Sequence, residues 1–201
     1  MGTIYNDGTP KNKEYIKKCL EYLSYINEHR MFVAQAFYDL FGNGKIYTLP
    51  EGIYKEDWYC AVEVVEANIK NHDMSKYSDE EFDGYRKYFY PTTQESTEAA
   101  EIPDVQNEIN NDFEKAWVHH YTHNDHHPKY WRDEDGNPKN MPLYAILHMI
   151  CDWQGMAFKF NSNVVDWYNS KAALDDKNAM TEYTRNIVEE LLLAIYNKEI
   201  I

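Results

Sequence analysis

Apolar side chains recur every three or four residues along most of the chain, which is the spacing of one face of an α-helix. In the segment 12–41 this face includes Leu20, Ile26 and Phe37. Gly42-Asn43-Gly44 then interrupts the pattern, as expected at the end of a helix. Because no stretch alternates between apolar and polar residues with the period of a β-strand, the sequence predicts an all-α protein.

Similar patterns and helix-capping residues predict five more helices. Ser78 and Glu81 have the spacing of a capping box, in which Ser78 precedes the first helical residue. Pro142 suits the first position of a helix. The polar segment 92–103 is expected to be a surface loop or a short helix. The predicted helices cover about 55–71, from the capping box to before Pro91, 104–124, 142–160 and about 181–198.

Length and cysteine usage suggest one compact domain in a reducing compartment. The 201 residues are enough for a single domain with its own core, so we expect one helical domain over 1–201. Cys19, Cys60 and Cys151 are scattered and odd in number, which is typical of reduced thiols. The first fifteen residues lack the apolar core of a signal peptide, and no apolar run is long enough for a membrane helix. We therefore expect a cytoplasmic protein without membrane contact.

The charge balance limits the classes of partner that the protein could bind. The formal net charge is −14, from 34 acidic and 20 basic side chains. A protein that binds a long nucleic acid neutralises phosphates with Lys and Arg, so this balance argues against such a partner. A small nucleotide remains compatible, because bound metal ions can reverse the field within one pocket.

Five of the eight histidines fall in the stretch HHYTHNDHH, residues 119–127. Neutral imidazole is a good ligand for Zn, Fe, Mn, Ni or Co, so the cluster favours a metal site. An adventitious metal-binding patch is the alternative. His120 and Asn124 are four residues apart and share one helix face, whereas His127 lies beyond the predicted helix end.

A second candidate lies in the apolar run LYAILHMICDW, where His148 and Asp152 are four residues apart on one helix face. If this helix is buried, the Asp152 carboxylate needs a partner, and a metal ion is a natural one. The alternative is that Asp152 lies on a solvent-exposed face. His72-Asp73 follows the second predicted helix, and at a helix end both side chains can reach one ion, with the aspartate able to bridge two.

These motifs occur in an order that resembles the HD-domain superfamily of metal-dependent phosphohydrolases. The order is His29, then His72-Asp73-Met74-Ser75-Lys76, then His126-His127-Pro128, then Asp152, across about residues 25–155. Ser75 stands where that superfamily has a glycine. The stretches NHDMSKYSDEEF, AWVHHYTHNDHHPKYW and MICDW are also similar to an uncharacterised bacterial and phage family that is itself thought to be HD-like. The resemblance implies an HD-domain-like helical bundle.

The resemblance also implies a ligand set. A first ion would be held by His29, His72, Asp73 and Asp152. Asp73 would bridge to a second ion held by His120 and His127, or by His126. One or two divalent ions are expected, with Mn, Fe, Ni, Co, Zn and Mg as the candidates.

The activity that the resemblance implies is hydrolysis of a small phosphorylated, nucleotide-like molecule by a metal-activated water. Lys76 would stabilise charge on the phosphoryl oxygens. An unligated histidine would protonate the leaving group. Further candidates are leaving-group acids (His119, His123, His148), phosphate contacts (Lys129, Arg132) and base-stacking rings (Tyr130, Trp131, Trp153), for which solvated or packing roles are the alternatives.

Two other functions fit the same residues. A di-iron oxygenase resembling the inositol-cleaving enzyme shares the HD scaffold. It needs four histidines and two aspartates, which this chain can also supply. A non-catalytic protein that binds a nucleotide or metal is the third interpretation. Iron with an oxygen-dependent spectrum would favour the oxygenase, and a nucleotide recovered intact would favour the binding protein.

Overall fold

A computed structural model of the chain describes residues 9–201. The regular structure in this part of the chain is helical, with two isolated β-bridges, Tyr47 to Ile200 and Arg132 to Pro138, and no strand. The predicted all-α class is therefore confirmed. The α-helices are α1 (Pro10–Leu40), α2 (Lys55–Asn68), α3 (Phe82–Phe89), α4 (Thr93–Glu101), α5 (Pro103–His123), α6 (Leu143–Lys159), α7 (Val164–Asn169), α8 (Leu174–Ala179) and α9 (Glu182–Asn197).

The long predicted helices agree closely with the observed ones, and the short elements differ more. The segment 92–103 contains α4 and the start of α5. Pro142 precedes the first residue of α6 as its N-cap. The helices α7 and α8 were not predicted, because six residues are too few to display a helical period.

The capping box predicted at Ser78 is wrong. Helix α3 begins at Phe82, with Glu81 before it, and no side chain caps it. The Glu81 carboxylate instead lies beside the imidazoles of His119 and His120. A capping box does form at α4, where Glu95 Oε2 accepts from the Thr92 amide at 2.7 Å.

The contacts between residues divide the chain into two compact units. Unit 1 comprises residues up to Glu28 together with Asp73–His123. Unit 2 comprises His29–His72 and Asn124–Ile201. Each unit has its own hydrophobic core. The expectation of one domain over 1–201 stays a prediction.

The core of unit 1 is small and aromatic. Its fully buried members are Tyr22, Ile26, Tyr85 and Ala116. Helix α3 approaches α5 closely at Gly84, where an added Cβ would lie 2.7 Å from the Asp112 carbonyl oxygen. Only glycine fits at this crossing, and the close approach holds the residues around Glu81 against α5.

The core of unit 2 is larger and surrounds α6. This helix is apolar around most of its circumference and almost completely buried. Gly155 lies against α1, where an added Cβ would lie 2.7 Å from Val33 Cγ2. Further core residues come from α1, α2 and α9, among them Phe37, Trp58, Val65, Val188 and Leu191. Polar side chains in the middle of α6 are therefore largely surrounded by protein.

None of the helices in residues 9–201 is both long and apolar enough to cross a membrane. The expectation that the chain lacks a signal peptide falls partly on residues 1–8, which lie outside the described part of the chain.

Candidate metal centre

Three elements of unit 2 supply the best-defined group of polar side chains. His29 lies on the buried face of α1, with Val33, Ala36 and Phe37 at helical spacings along the same face. The His29 side chain is 5% exposed, and a buried imidazole on an apolar face needs a polar partner. The packing of the apolar neighbours on this face fixes the position of His29.

His72 is placed by the end of the second helical segment. A 3-10 turn, Ile69–Asn71, follows α2, and the backbone leaves the helical conformation at His72, with φ −50° and ψ 129°. The His72 amide donates to the Ile69 carbonyl at 3.1 Å. Its carbonyl accepts from Arg30 Nε at 2.9 Å. Both backbone groups of His72 are thus hydrogen-bonded, which fixes the position from which the imidazole projects. The imidazole is 1% exposed.

Asp152 and His148 project from the same face of α6, one turn apart, as their spacing predicted. The Asp152 side chain is 14% exposed and His148 is 6% exposed. Of the two alternatives for Asp152, the structure shows the buried one, and its neighbours are the imidazoles of His29 and His72.

His29, His72 and Asp152 bring three ligand atoms together. His29 Nε2 lies 3.1 Å from His72 Nε2. Asp152 Oδ1 lies 3.0 Å from His29 Nε2 and 3.5 Å from His72 Nε2. We call this group the donor triangle. Its three atoms belong to residues that are far apart in the sequence and that could together hold one metal ion.

Protons alone satisfy the donor triangle poorly. If both imidazoles carry a proton on Nε2, two N–H groups face each other at 3.1 Å. If only one does, that proton can be directed to only one of its two neighbours. By contrast, ligands at ~2.1 Å from a shared ion lie ~3.0 Å apart at right angles and ~3.4 Å apart in a tetrahedron. The observed spacings fit one cation.

The charge state of Asp152 also suits a cation. Burial by itself would raise the pKa of the carboxyl group. Hydrogen bonds and charges from His29 and His72 outweigh that effect and hold the pKa well below its usual range. The triangle therefore keeps one negative charge and two imidazole nitrogens in a buried position.

His148 and His126 surround the other side of His72. His148 Nε2 lies 3.1 Å from His72 Nδ1. The His126 ring centroid lies 4.5 Å from that of His72 and 4.7 Å from that of His148. His72, His126 and His148 thus form a second group whose nitrogens could hold a metal ion. We predicted His148 as a possible acid and missed it as a ligand or a partner of His72, although its spacing from Asp152 gave the signal.

His127 belongs to the same unit and is 9% exposed. Its ring centroid lies 4.3 Å from that of His126. It precedes a 3-10 turn, Pro128–Tyr130, and its carbonyl accepts from the Tyr130 amide at 3.0 Å. The end of the histidine cluster is therefore buried in protein. This burial fits a metal site better than an adventitious patch on the surface.

Unit 1 holds the remaining predicted residues. Asp73 has left-handed backbone angles, with φ 55°, which is uncommon for a residue other than glycine. Its Oδ2 accepts from Lys76 Nζ at 2.6 Å, and its Oδ1 lies 3.4 Å from His120 Nε2. Asp73 and His120 are each 1% exposed. The predicted ligands Asp73 and His120 and the predicted catalytic Lys76 are therefore neighbours.

His120 is also bound on its other side. Its Nδ1 lies 3.0 Å from Glu81 Oε2. Burial lowers the pKa of His120, and the charge of Lys76 lowers it further, while the charges of Asp73 and Glu81 oppose the shift. The net effect favours the neutral imidazole. Glu81 was not predicted as a site residue, because a capping box with Ser78 gave its spacing a local explanation.

The other candidates have different surroundings. Trp153 is 2% exposed and donates to Asp176 Oδ2 at 3.1 Å, so its ring packs in the core and is not available for stacking on a base. Lys129 Nζ lies 2.6 Å from Asp175 Oδ2. Trp131 is half-buried and donates to the Asp125 carbonyl at 2.7 Å. His123 is exposed and stacks on His119, with ring centroids 3.9 Å apart.

Taken together, fold and site define an all-α protein with buried histidine and aspartate groups that could hold a metal ion. The chain belongs to the "Family of unknown function (DUF5662)", whose family model matches residues 18–194. Comparison with curated proteins gives no match, and comparison with solved structures gives none either.

Proposed function

We propose that the protein is a metal-dependent phosphohydrolase that acts on a small phosphorylated, nucleotide-like molecule. The observation that carries this proposal is the donor triangle of His29, His72 and Asp152, with its spacings of 3.0, 3.1 and 3.5 Å. Three ligands leave positions open on an ion, which is typical of catalytic metal sites and not of structural ones.

In this proposal the triangle holds one divalent ion, with Mn, Fe, Ni, Co, Zn and Mg as candidates. A bound divalent ion lowers the pKa of a coordinated water and polarises a phosphoryl oxygen. The chain contributes the orientation of the ligands. The contact of His72 Nδ1 with His148 keeps the ring from turning, so its Nε2 stays directed at the triangle.

Asp73, His120 and Lys76 in unit 1 form the second part of the proposal. Asp73 Oδ1 and His120 Nε2 would offer two ligand atoms to a second ion. The ammonium group of Lys76 holds the other oxygen of Asp73 and so fixes the carboxylate. The bridging role expected for Asp73, the roles of His126 and His127 as ligands, and the contact of Lys76 with phosphate stay predictions from the HD-domain resemblance.

The substrate class follows from charge as well as resemblance. A net charge of −14 gives little attraction for a long polyanion, so we propose a small phosphorylated molecule that is bound through metal ions. Neutralisation of the phosphate by a cation would then take the place of a basic surface.

The test combines metal analysis with a substrate screen. The protein is purified, stripped with a chelator and reloaded with Mn²⁺, Co²⁺, Ni²⁺ or Zn²⁺. Release of inorganic phosphate is measured from phosphomonoesters, cyclic nucleotides and dinucleotides. His72→Ala and Asp152→Asn should lose the ion of the donor triangle and abolish turnover, whereas His123→Ala, which changes an exposed histidine, should retain that ion.

Three outcomes would contradict the proposal. Turnover that persists in Asp152→Asn would exclude the donor triangle from the reaction. Metal binding without phosphate release, with a nucleotide recovered intact, would select a binding protein. Bound iron with an oxygen-dependent spectrum and no phosphate release would select an oxygenase.

A further inference from the structure

Glu81 is a completely buried carboxylate that no part of the proposed reaction uses. Its side chain is 0% exposed, in the residue that immediately precedes α3. An ionised carboxylate in such a position is costly unless several hydrogen bonds satisfy it. Its neighbours on the chain give a comparison, because Glu80 is exposed and Glu81 is not. The burial of Glu81 therefore requires a specific set of partners.

Two adjacent histidines of α5 supply these partners. His119 Nδ1 lies 2.7 Å from Glu81 Oε1, and His120 Nδ1 lies 3.0 Å from Glu81 Oε2. Glu81 thus acts as an acceptor with one oxygen for each imidazole.

This contact decides which nitrogen of His120 carries the proton. A carboxylate oxygen accepts a hydrogen bond from a ring N–H, so the 3.0 Å contact with Glu81 Oε2 favours a proton on His120 Nδ1. The Nε2 atom then carries a lone pair and lies 3.4 Å from Asp73 Oδ1. Two acceptors that face each other repel, and Lys76 contacts the other oxygen of Asp73. A cation between Asp73 Oδ1 and His120 Nε2 makes the contact favourable.

We propose that Glu81 is a positioning residue for a cation site at Asp73 and His120, and that it acts by holding His120 with its Nε2 lone pair directed at Asp73. This inference rests on the second ion of the proposed function. Metal-bound histidines commonly have a carboxylate on their other ring nitrogen, which fixes the ring orientation and raises the basicity of the ligand atom. Glu81 meets the geometric requirement for that role.

The first test reads the proton position directly and needs no metal. Nuclear magnetic resonance of isotope-labelled histidine in the stripped protein at pH 7 distinguishes protonation at Nδ1 from protonation at Nε2. In the wild type we expect His120 to carry a proton on Nδ1, the nitrogen that faces Glu81. In Glu81→Ala the preference for Nδ1 should be lost. A wild-type His120 without a proton on Nδ1 would overturn the inference.

The second test measures Co²⁺ binding to the full chain by calorimetry and visible absorbance. Glu81→Ala should weaken one Co²⁺ site by ~10- to 100-fold. Glu81→Gln keeps one oxygen acceptor of nearly the same shape, so its loss should be smaller than that of Glu81→Ala. This near-isosteric variant also keeps the test informative if Glu81→Ala does not fold. Equal affinity in Glu81→Gln and wild type, with Glu81→Ala also unchanged or unfolded, would overturn the inference.

Two matched variants control for charge and for contact. Glu80→Gln removes the same charge from the adjacent, exposed position and should bind Co²⁺ as the wild type does. His119→Gln keeps an N–H donor near Glu81 Oε1 and changes the other partner of the same carboxylate. It should leave the His120 proton on Nδ1. Equal losses in Glu80→Gln and Glu81→Ala would show a general charge effect and contradict the positioning role.

The two proposals fail in different ways. If no phosphorylated substrate is hydrolysed but Co²⁺ affinity and the His120 proton depend on Glu81, the inference stands without the phosphohydrolase. If phosphate is released and depends on the donor triangle, but the Glu81 variants keep wild-type Co²⁺ affinity, the phosphohydrolase stands and the inference is wrong.

Discussion

His29 Nε2 lies 3.1 Å from His72 Nε2, although the two residues are separated by 43 positions in the chain. These two imidazole nitrogens and one carboxylate oxygen lie close enough to one another for a single cation to contact all three. The relationship is local to unit 2, so it can be tested one side chain at a time.

Replacing any member of the donor triangle should weaken metal binding strongly. We expect His29→Ala, His72→Ala and Asp152→Asn each to lower the affinity for Mn²⁺ or Co²⁺ by at least ~100-fold, since changes to the partners of ligands already cost 10- to 100-fold. Calorimetric titration of stripped protein measures the affinity. His123→Ala provides the control, and a wild-type affinity in Asp152→Asn would contradict the assignment.

Chelation should lower the thermal stability of the wild type. An ion that binds only the folded state stabilises it by about 2.7 kcal/mol at a concentration 100 times its dissociation constant. Unfolding curves with added Mn²⁺ and with a chelator should therefore differ for the wild type, and the difference should shrink in a variant that lacks the whole triangle. An undiminished difference in such a variant would place the stabilising ion elsewhere.

Glu95 should make unit 1 sensitive to acid. It forms a two-pronged ion pair with the buried Arg86, at 2.7 and 2.8 Å, and its pKa falls to about 2. Burial opposes ionisation here, and the hydrogen bonds with Arg86 and Thr92 outweigh it. Because the folded-state pKa lies below the unfolded value of ~4.3, the contribution is complete above pH ~4.3 and is lost as the pH falls towards 2, by about 2–3 kcal/mol.

Glu95→Gln checks this at neutral pH. The variant leaves the Arg86 guanidinium buried without its main partner, and we expect a loss of about 2–4 kcal/mol in the free energy of unfolding. Its stability should also fall less steeply in acid than that of the wild type. Glu101→Gln, at the exposed end of α4, is the control. Parallel acid curves for wild type and Glu95→Gln would refute the prediction.

Asp176 should have the opposite pH dependence in unit 2. Burial and the nearby charge of Asp152 raise its pKa to about 6, against the lowering effect of its hydrogen bond with Trp153. A raised carboxyl pKa means that the folded state holds the proton more tightly. Stability is then fully present below the unfolded pKa of ~3.9 and is lost as the pH rises through ~6.

Asp176→Asn removes this cost and keeps an oxygen for the Trp153 N–H. In the presence of chelator we expect the variant to exceed the wild type by about 1–3 kcal/mol at pH 8 and to match it at pH 4. Denaturant unfolding at both pH values measures the difference. Asp175→Asn, on the same helix but 66% exposed, should show no such dependence. A pH-independent difference for Asp176→Asn would count against a raised pKa.

Gly155→Ala tests the packing that places α6 beside α1 within unit 2. The new methyl group would lie 2.7 Å from Val33 Cγ2 and 3.0 Å from the Val33 amide nitrogen. Crowding of this kind costs about 1–3 kcal/mol. Val33→Ala removes the side-chain clash but not the backbone one, so the double variant should lose less than the sum of both single changes. Strict additivity in denaturant unfolding would show that the two residues do not interfere.

The sequence alone determined the helical class and the positions of the long helices. Their apolar faces repeat over several turns, and that pattern is a local property which the order of residues displays directly. The same locality explains the agreement for His148 and Asp152, whose shared face depends only on helix geometry. The order of His29, His72-Asp73 and Asp152 resembles that of HD-domain proteins, and this resemblance predicts a metal site.

Only the tertiary structure decided which side chains meet. Glu81 has a plausible local partner in Ser78, yet the packing of α3 on α5 at Gly84 brings it to His119 and His120 instead. The contact between His148 and His72 likewise depends on the packing of α6 in the core of unit 2. Such contacts join residues dozens of positions apart and depend on side-chain volumes at helix crossings. A helical period carries no information about those volumes, because it describes one helix and not its neighbours.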